Sequence, residues 1–413
     1  MSDYRNVWIL FAAGALLQLG GGILGVTTPL GLDALGVSPT TVGLIAALFA
    51  IGFMIGAWWA TPAIRMFGNI RTYSAAAAVA AVTVLMMYMA LNIWAWSAIR
   101  LAQGIALALM FSSIEAWLSA AVPASNRGGV TGFYHLVAKV ALILGPFVVA
   151  GATALDAHAY IWPAIFFCLS LLPVCLTRRE QPPVPDTDPL SLPKLYKLAP
   201  AGVIGVFMAG IINTGTLSLL PLYAVEVLSE LTLSDTGIAA LAAGVAWAGG
   251  MLSQWPAGRV SDYFDRRRVI AVMTLPPAVV SVILASGWAE GQAVLTLILI
   301  GIWGAGSLSY YGIAIAHTID WAPSGKIAQA MAGLLFVWAF GSVIGPVLMG
   351  AAMRTPLGAQ GLFIPGACLS VILIISMLVR QAARNEPPDD LQEPWNPATP
   401  LLVTKGEIDP RAD

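Results

Sequence analysis

Charge is what this sequence has least of. Only 10% of its 413 residues are Asp, Glu, Lys or Arg, against about 25% in an ordinary soluble domain. Hydrophobic residues make up 58%, and the mean hydropathy is +0.82. A soluble core of this size could not absorb so much apolar surface, so the chain reads as a polytopic membrane protein. Cysteine and histidine are scarce as well, with three of each. Cys168, Cys175 and Cys368 lie inside apolar runs with no C-x-x-C spacing and no neighbouring His, which gives neither a disulfide framework nor a metal site. His158 and His317 fall near the ends of apolar runs without evident partners. There is no Ser/His/Asp constellation, so no catalytic residue, metal or cofactor is expected and an intramembrane enzyme is set aside. A G-x-x-x-x-G-K-[ST] loop is missing too, which argues against an ATP-driven pump. The net charge of −1 identifies no partner, and none is expected among nucleic acids.

Long apolar runs are what the chain has in place of charge. A membrane helix needs about 20 mostly apolar residues, and twelve segments qualify: 7–30, 40–60, 72–93, 95–120, 129–151, 158–177, 199–223, 235–257, 269–288, 291–316, 327–350 and 358–380. The first is longer than the apolar core of a signal peptide and only Arg5 precedes it, so it reads as an uncleaved span. An even number of spans puts both ends of the chain on one side. Of the 20 Lys and Arg residues, Arg100 and Lys139 are within spans and Arg354 alone falls on the far side, leaving 17 on the side of the termini. By the positive-inside rule that side is the cytoplasm. The expected setting is a bacterial-type inner membrane, crossed by an all-α protein with both termini cytoplasmic.

A polar segment rich in Pro, Asp and Lys divides the spans six and six. The expected organisation is a six-helix bundle over 1–177, a cytoplasmic linker over 178–198, a second six-helix bundle over 199–380 and a disordered cytoplasmic tail over 381–413. The halves repeat. Gly145-Pro146 in span five returns as Gly345-Pro346 in span eleven, both expected to kink their helices. Thr41–Ala47 (TVGLIAA) opens span two much as Thr236–Ala243 (TGIAALAA) opens span eight. Two parallel six-helix repeats with a site between them at mid-membrane is one known transporter architecture.

The buried charges cluster in the first half, over Arg100–Pro146. A charge at the centre of a membrane helix costs roughly 2.5–3.5 kcal/mol on insertion scales and usually marks a pathway. Glu115 and His135 lie ten residues either side of Ser125, at similar depth, and Lys139 is one turn beyond His135 on the same face. Glu115 is thus expected to pair with His135 or Lys139 in a protonation-sensitive cluster. Burial disfavours the charged form and pairing favours it, and a group balanced between the two can take up and release a proton. Arg100 is 15 residues from Glu115, about 22 Å along a helix, too far for a direct pair. The second half carries amides and aromatics at mid-span instead: Asn213, Thr214, Trp247, Tyr310, Tyr311 and Trp338, matched by Gln18 in span one. These suit the wall of a cavity for a partly apolar solute.

The loop between spans eight and nine reads Gly258-Arg-Val-Ser-Asp262-Tyr-Phe-Asp265-Arg266-Arg267-Arg268. This resembles the signature of the major facilitator superfamily, with Asp265 where the family usually has glycine. The counterpart between spans two and three keeps Arg65, Gly68 and Arg71 but lacks the acid. The resemblance implies a cytoplasmic gate formed by Gly258, Asp262, Arg266 and Arg267 with Gly68 and Arg71. Arg100-Leu-Ala-Gln103-Gly104 is similar to the family's R-x-x-Q-G, which implies a cavity-facing Arg100, with Gln103, tied to proton coupling. Gly145-Pro146 and Gly341-Ser-Val-Ile-Gly345-Pro346 partly match a motif of antiporter branches and tilt the reading towards efflux over uptake. Glu115, Arg127-Gly128 and Gln254–Arg259 (QWPAGR) resemble the YcaD-like branch of bacterial transporters. The resemblance covers about residues 5–380. It implies a monomer that moves a small organic solute, with protons, by alternating access in the lipid bilayer. A transporter-fold receptor or assembly factor without transport is the alternative.

Overall fold

The computed structural model describes residues 2–122, 124–176, 190–323, 325–383 and Trp395, with side chains left out for 2–6, 119–120 and 124–128. Twelve helical spans cross the molecule, and the described residues include no strand. The first half contains α1 (Ser2–Ala34), α2 (Pro39–Phe67), α3 (Asn69–Met89), α4 (Ile93–Ala121), α5 (Ala124–Leu144, drawn out by a 3-10 turn over Gly145–Val149) and α6 (Ala157–Cys175). A short α7 (Leu192–Leu198) leads into the second half. There α8 (Pro200–Ala209), a π turn (Gly210–Thr214) and α9 (Gly215–Val227) make one span, followed by α10 (Asp235–Val260) and α11 (Arg266–Ala285). The next span is broken between α12 (Ala293–Ser307) and α13 (Tyr310–Asp320), and α14 (Ile327–Ala352) and α15 (Phe363–Ala383) complete the bundle.

The expected spans hold, with ends moved by a few residues where capping decides. Ser38 accepts from the Thr41 amide to start α2, Asn92 from Ala95 to start α4, and Ser234 from Gly237 to start α10. Each satisfies an amide that helix geometry leaves without a partner. Part of the expected linker is ordered. Its last residues form α7, whose Leu195 is buried while Lys194 and Lys197 face out, and the Leu190 amide donates to Gln329 O of α14. Residues 177–189 lie outside the described residues, as do 384–394 and 396–413, where the disordered tail was expected. Of the expected tail, residues 381–383 belong to α15, and Trp395, the other described residue, is 7% exposed.

Lipid offers no hydrophobic force between helices, so membrane helices associate through close backbone approach and small side chains. The two Gly-Pro pairs serve this purpose. A Cβ on Gly145 would meet Leu19 O of α1 at 2.3 Å, and one on Gly345 would meet Ile211 O of the seventh span at 2.2 Å. Each pair therefore seats the fifth helix of its half against the first helix of the same half. The α-helix gives way to a 3-10 turn at Gly145 but continues through Pro346.

The halves meet at the face away from the chain termini. Thr40 Oγ1 donates to Gly350 O at 3.1 Å, and Thr236 Oγ1 to Ala152 O at 2.6 Å. A Cβ on Gly43 would lie 2.1 Å from Pro346 O. Ser234 also donates to Ala150 O there. These contacts join α2 to α14, and the end of the fifth span to the start of α10, sealing the bundle at its far face.

Candidate functional site

Between the halves is a cavity of about 1030 Å³, lined from near the far-face ends of α1 and α2 (Leu32, Val42) to the terminus-bearing end of α10 (Gln254, Trp255). Its charged walls come from the first half: Arg100 and Glu115 on α4, and Lys139 on α5, with His135 one turn from Lys139. Gln18 of α1 lines it too, as do Asn213, Trp247, Tyr311 and Trp338 of the second half. The charged groups of the described wall come from the first half, but that half also brings Phe49, Phe53, Phe111, Phe133 and Tyr134 to it, so aromatics line the cavity from both halves.

Arg100 faces this cavity and not the lipid interface. Its Nη1 donates to Gln103 Oε1 at 2.8 Å, and its guanidinium carbon sits 4.2 Å from the centroid of the Phe49 ring. That ring supplies a cation–π contact of the kind worth about 0.5–2 kcal/mol, the larger value where water is excluded. Gln103 is fully buried and passes the chain on through Nε2 to Met87 Sδ at 3.4 Å. Arg100 has no carboxylate partner among the described residues.

The expected pairing of Glu115 with His135 or Lys139 is not formed. Lys139 Nζ reaches across to the other half instead, where Gln254 Oε1 of α10 accepts its hydrogen bond. His135 lies edge-on to Tyr134 with ring centroids 5.2 Å apart, and its Nε2 is buried without a hydrogen-bond partner among the described residues. The reason is geometric. The i,i+4 spacing puts His135 and Lys139 on one face of α5, and that face looks into the cavity towards α10 more than along the wall towards α4. Glu115 is buried at 7% exposure, within electrostatic reach of Tyr134 and Tyr311.

Tyr310 needs correction as a cavity residue. It is fully buried in the packing core of the second half, and its neighbour Tyr311 lines the cavity. Tyr311 and Phe53 flank Trp338, at 6.5 and 6.4 Å between centroids. Asn213 lies in the π turn, a local widening of the helix frequent at functional sites. Its Nδ2 donates to Ser307 O at 3.0 Å, and Ser307 Oγ donates back to Asn213 Oδ1 at 2.5 Å.

The residues of the signature loop are tied within their own half. Arg266 Nε donates to Asp320 Oδ2 of α13 at 2.7 Å in a buried ion pair, and its Nη1 is 3.6 Å from Asp262. Arg267 pairs with Asp265 at 2.7 Å and donates through Nη1 to Arg380 O of α15 at 3.0 Å. Burial disfavours the charged Asp265 carboxylate, but the Arg267 hydrogen bonds outweigh it and hold this carboxyl below its ordinary range. Asp265, which departs from the resembled signature, also caps α11 by accepting from the Arg267 amide at 2.9 Å. Gly68 joins α2 to α3 at φ 83°, a conformation that suits glycine, and Arg71 beyond it is exposed. The histidines outside the cavity have surroundings that the sequence did not reveal. His158 Nδ1 lies 2.7 Å from Asp156 Oδ1, and His317 is buried near Asp265.

Sequence reasoning missed Trp395. Its indole covers Gly258, where a Cβ would lie 2.1 Å from the ring, and it forms part of the cavity wall at the terminus-bearing mouth. A lone tryptophan in a Pro- and Asp-rich tail gives no periodic signal, so nothing in the sequence marks it.

A family model described as Major Facilitator Superfamily matches residues 10–255 and 204–408. The chain is 27% identical over 391 residues to a protein of Escherichia coli named as an uncharacterized MFS-type transporter, YcaD, with 94% of this chain and 99% of that one covered. Among solved structures it resembles a D-xylose–proton symporter, with TM-score 0.72, 15% identity, and 94% of this chain and 98% of that chain covered. It also resembles the nucleoside transporter NupG, with TM-score 0.69, 13% identity, and 90% of this chain and 98% of that chain covered. The twelve helices, the two-half arrangement with its central cavity and the family match agree: this chain belongs to the Major Facilitator Superfamily, a family of transporters and not of enzymes.

Proposed function

We propose that the protein is a proton-coupled secondary transporter of a small organic solute, working by alternating access as its two six-helix halves rock about the cavity. The observation that carries this reading is the cavity itself. It lies between the halves, contains Arg100, Glu115 and Lys139, and is bounded at the face away from the termini by direct contacts between the halves. An intramembrane charge is costly unless it has a use, and a cavity charge that can exchange a proton is such a use. Glu115 is the proposed proton carrier. His135 and Lys139 share its cavity, and Arg100 with Gln103 sets a fixed positive field beyond them. The cavity is complete within one chain, which supports a monomer as the working unit.

The open face is taken as cytoplasmic, on the strength of the 17 basic residues on the side of the termini, and the membrane as a bacterial inner membrane. In the opposite state the α2–α3 turn with Gly68 and Arg71 would close on the α10–α11 turn with Gly258 and Asp262, while Arg266 and Arg267 hold the second turn rigid. The tilt towards efflux rests on the partial match of the two Gly-Pro segments to the antiporter motif alone, since their contacts here serve helix seating.

Reconstitution tests this reading. Wild-type protein in liposomes should move protons when a transported solute is added, and Glu115→Gln should still move the solute without protons. Wild-type coupling in that variant removes Glu115 as the carrier. Deletion of residues 384–413 separates the alternative: transport survives it, whereas a receptor or assembly role through the tail does not.

A further inference from the structure

Among the described residues, the cavity wall carries more positive charge and more hydrogen-bond donors than it has acceptors paired with them. The charged groups of that described wall are Arg100, Lys139 and Glu115, a formal sum of +1 when Glu115 is ionised. Neither cation has a carboxylate partner among the described residues. Lys139 has three donors, and the one hydrogen bond recorded for it goes to the neutral Gln254 amide. Arg100 uses Nη1 on Gln103, and its Nε is buried with no acceptor among the described residues. Both cations are half-buried, and a charge held away from bulk water without a counter-ion is costly and poorly screened. The missing component is an anion. The rest of the wall gives the anion's body, because Phe53 and Tyr311 flank Trp338 there and Trp247 lines the same cavity.

We infer that the solute is an organic monoanion with an aromatic body: its carboxylate-type head is held by Lys139 in the positive field of Arg100, and its ring lies against Trp338 and Tyr311. This rests on the transport reading above and narrows it to one substrate class. A carboxylate would take the Lys139 donors that Gln254 leaves unused. It would also compete with Gln254, whose bond to Lys139 crosses between the halves, so binding at this point would act on one of the contacts that join the two halves.

Three probes of one shape separate head-group charge from ring burial: 4-phenylbutyrate, 4-phenylbutyramide and 4-phenylbutylamine. Binding to purified full-length protein in lipid nanodiscs is measured by isothermal titration calorimetry. The anion is expected to bind about tenfold or more tighter than the amide, as a charge-assisted contact implies, with the amine weakest. In Lys139→Met the anion should fall to within about twofold of the amide, and a thermal unfolding midpoint within a few degrees of wild type shows the variant to be folded. Equal binding of amide or amine and anion, an anion preference that survives in Lys139→Met, or binding of none of the three overturns the assignment. Vesicle accumulation keeps the two readings apart. If the amine or amide binds best and is accumulated, transport stands and the anion class falls. If the anion binds with this preference and is never accumulated, the anion site stands and transport falls.

Discussion

The backbone N–H of Trp395 donates to Asp262 Oδ1 at 2.6 Å, fastening a residue from the far end of the chain to the loop between α10 and α11. The bond places the indole on Gly258 and beside Gly312, within the wall of the cavity mouth. It also occupies the acid that the proposed gate would need on closure. Trp395→Ala should therefore widen the mouth. The rate at which a water-soluble thiol reagent labels a cysteine placed at Gln254, in a background with the three native cysteines replaced, should rise by about an order of magnitude, on the view that a buried aromatic ring excludes water from its contact area. An unchanged rate would mean that the indole does not obstruct the path.

At the opposite face the two halves touch backbone to backbone. Gly43→Val puts its Cβ where Pro346 O now stands, 2.1 Å away, and overpacking of this kind costs about 1–3 kcal/mol. That cost falls only on the state in which this face is closed. The variant should favour the state in which it is open, a shift of up to about a hundredfold in the ratio of the two, since 1.4 kcal/mol is tenfold. Labelling of a cysteine at Thr40 from the far face checks this, with faster labelling expected.

Stability should depend on the loop pairs more than on the cavity charges. Arg266 and Asp320 are 4% and 2% exposed, and removing one partner of a buried ion pair typically costs about 3–5 kcal/mol. Asp320→Asn should lower the thermal unfolding midpoint in detergent, whereas Arg100→Met, which loses no carboxylate partner, should lower it less. Equal losses would show that the loop network is not a principal source of stability.

Asp265 gives the sign of one pH effect. Its folded carboxyl lies below its ordinary range because Arg267 outweighs burial, so its contribution to stability is complete above the unfolded value of about 4. That contribution is lost as the pH falls through the lower folded value. Asp265→Asn should flatten the acid side of the unfolding profile, read as the midpoint temperature between about pH 5 and pH 3. A wild-type acid slope in the variant would remove Asp265 as its source.

The twelve spans were legible because length and apolarity decide a membrane helix, and the six-and-six repeat because Gly-Pro recurs at matched places. The cavity side chains were only partly legible. Adjacent residues on a helix point about 100° apart, so Tyr310 and Tyr311 cannot be told apart until the rotation of α13 against its neighbours is known. The same holds for Lys139, which was readable as buried but not as bonded to Gln254, because the partner is set by how one half sits on the other. The π turn that presents Asn213 has no residue signature in Gly-Ile-Ile-Asn-Thr, and Trp395 sits in a stretch with no repeating pattern.

Alternating access is the central claim, and paired distances test it without a known solute. With Cys168, Cys175 and Cys368 replaced by serine, spin labels at Ala34 and Thr355 report the face where the halves touch, and labels at Met66 and Phe264 report the terminus-bearing face. Double electron–electron resonance across a pH series should give two distance populations for each pair, with the Met66–Phe264 distance shortening in the same proportion of molecules in which Ala34–Thr355 lengthens. Glu115→Gln should hold that proportion fixed as pH changes. Single distance populations that do not move at either face, at any pH or with any of the three phenylbutyl probes, would contradict a rocking transporter.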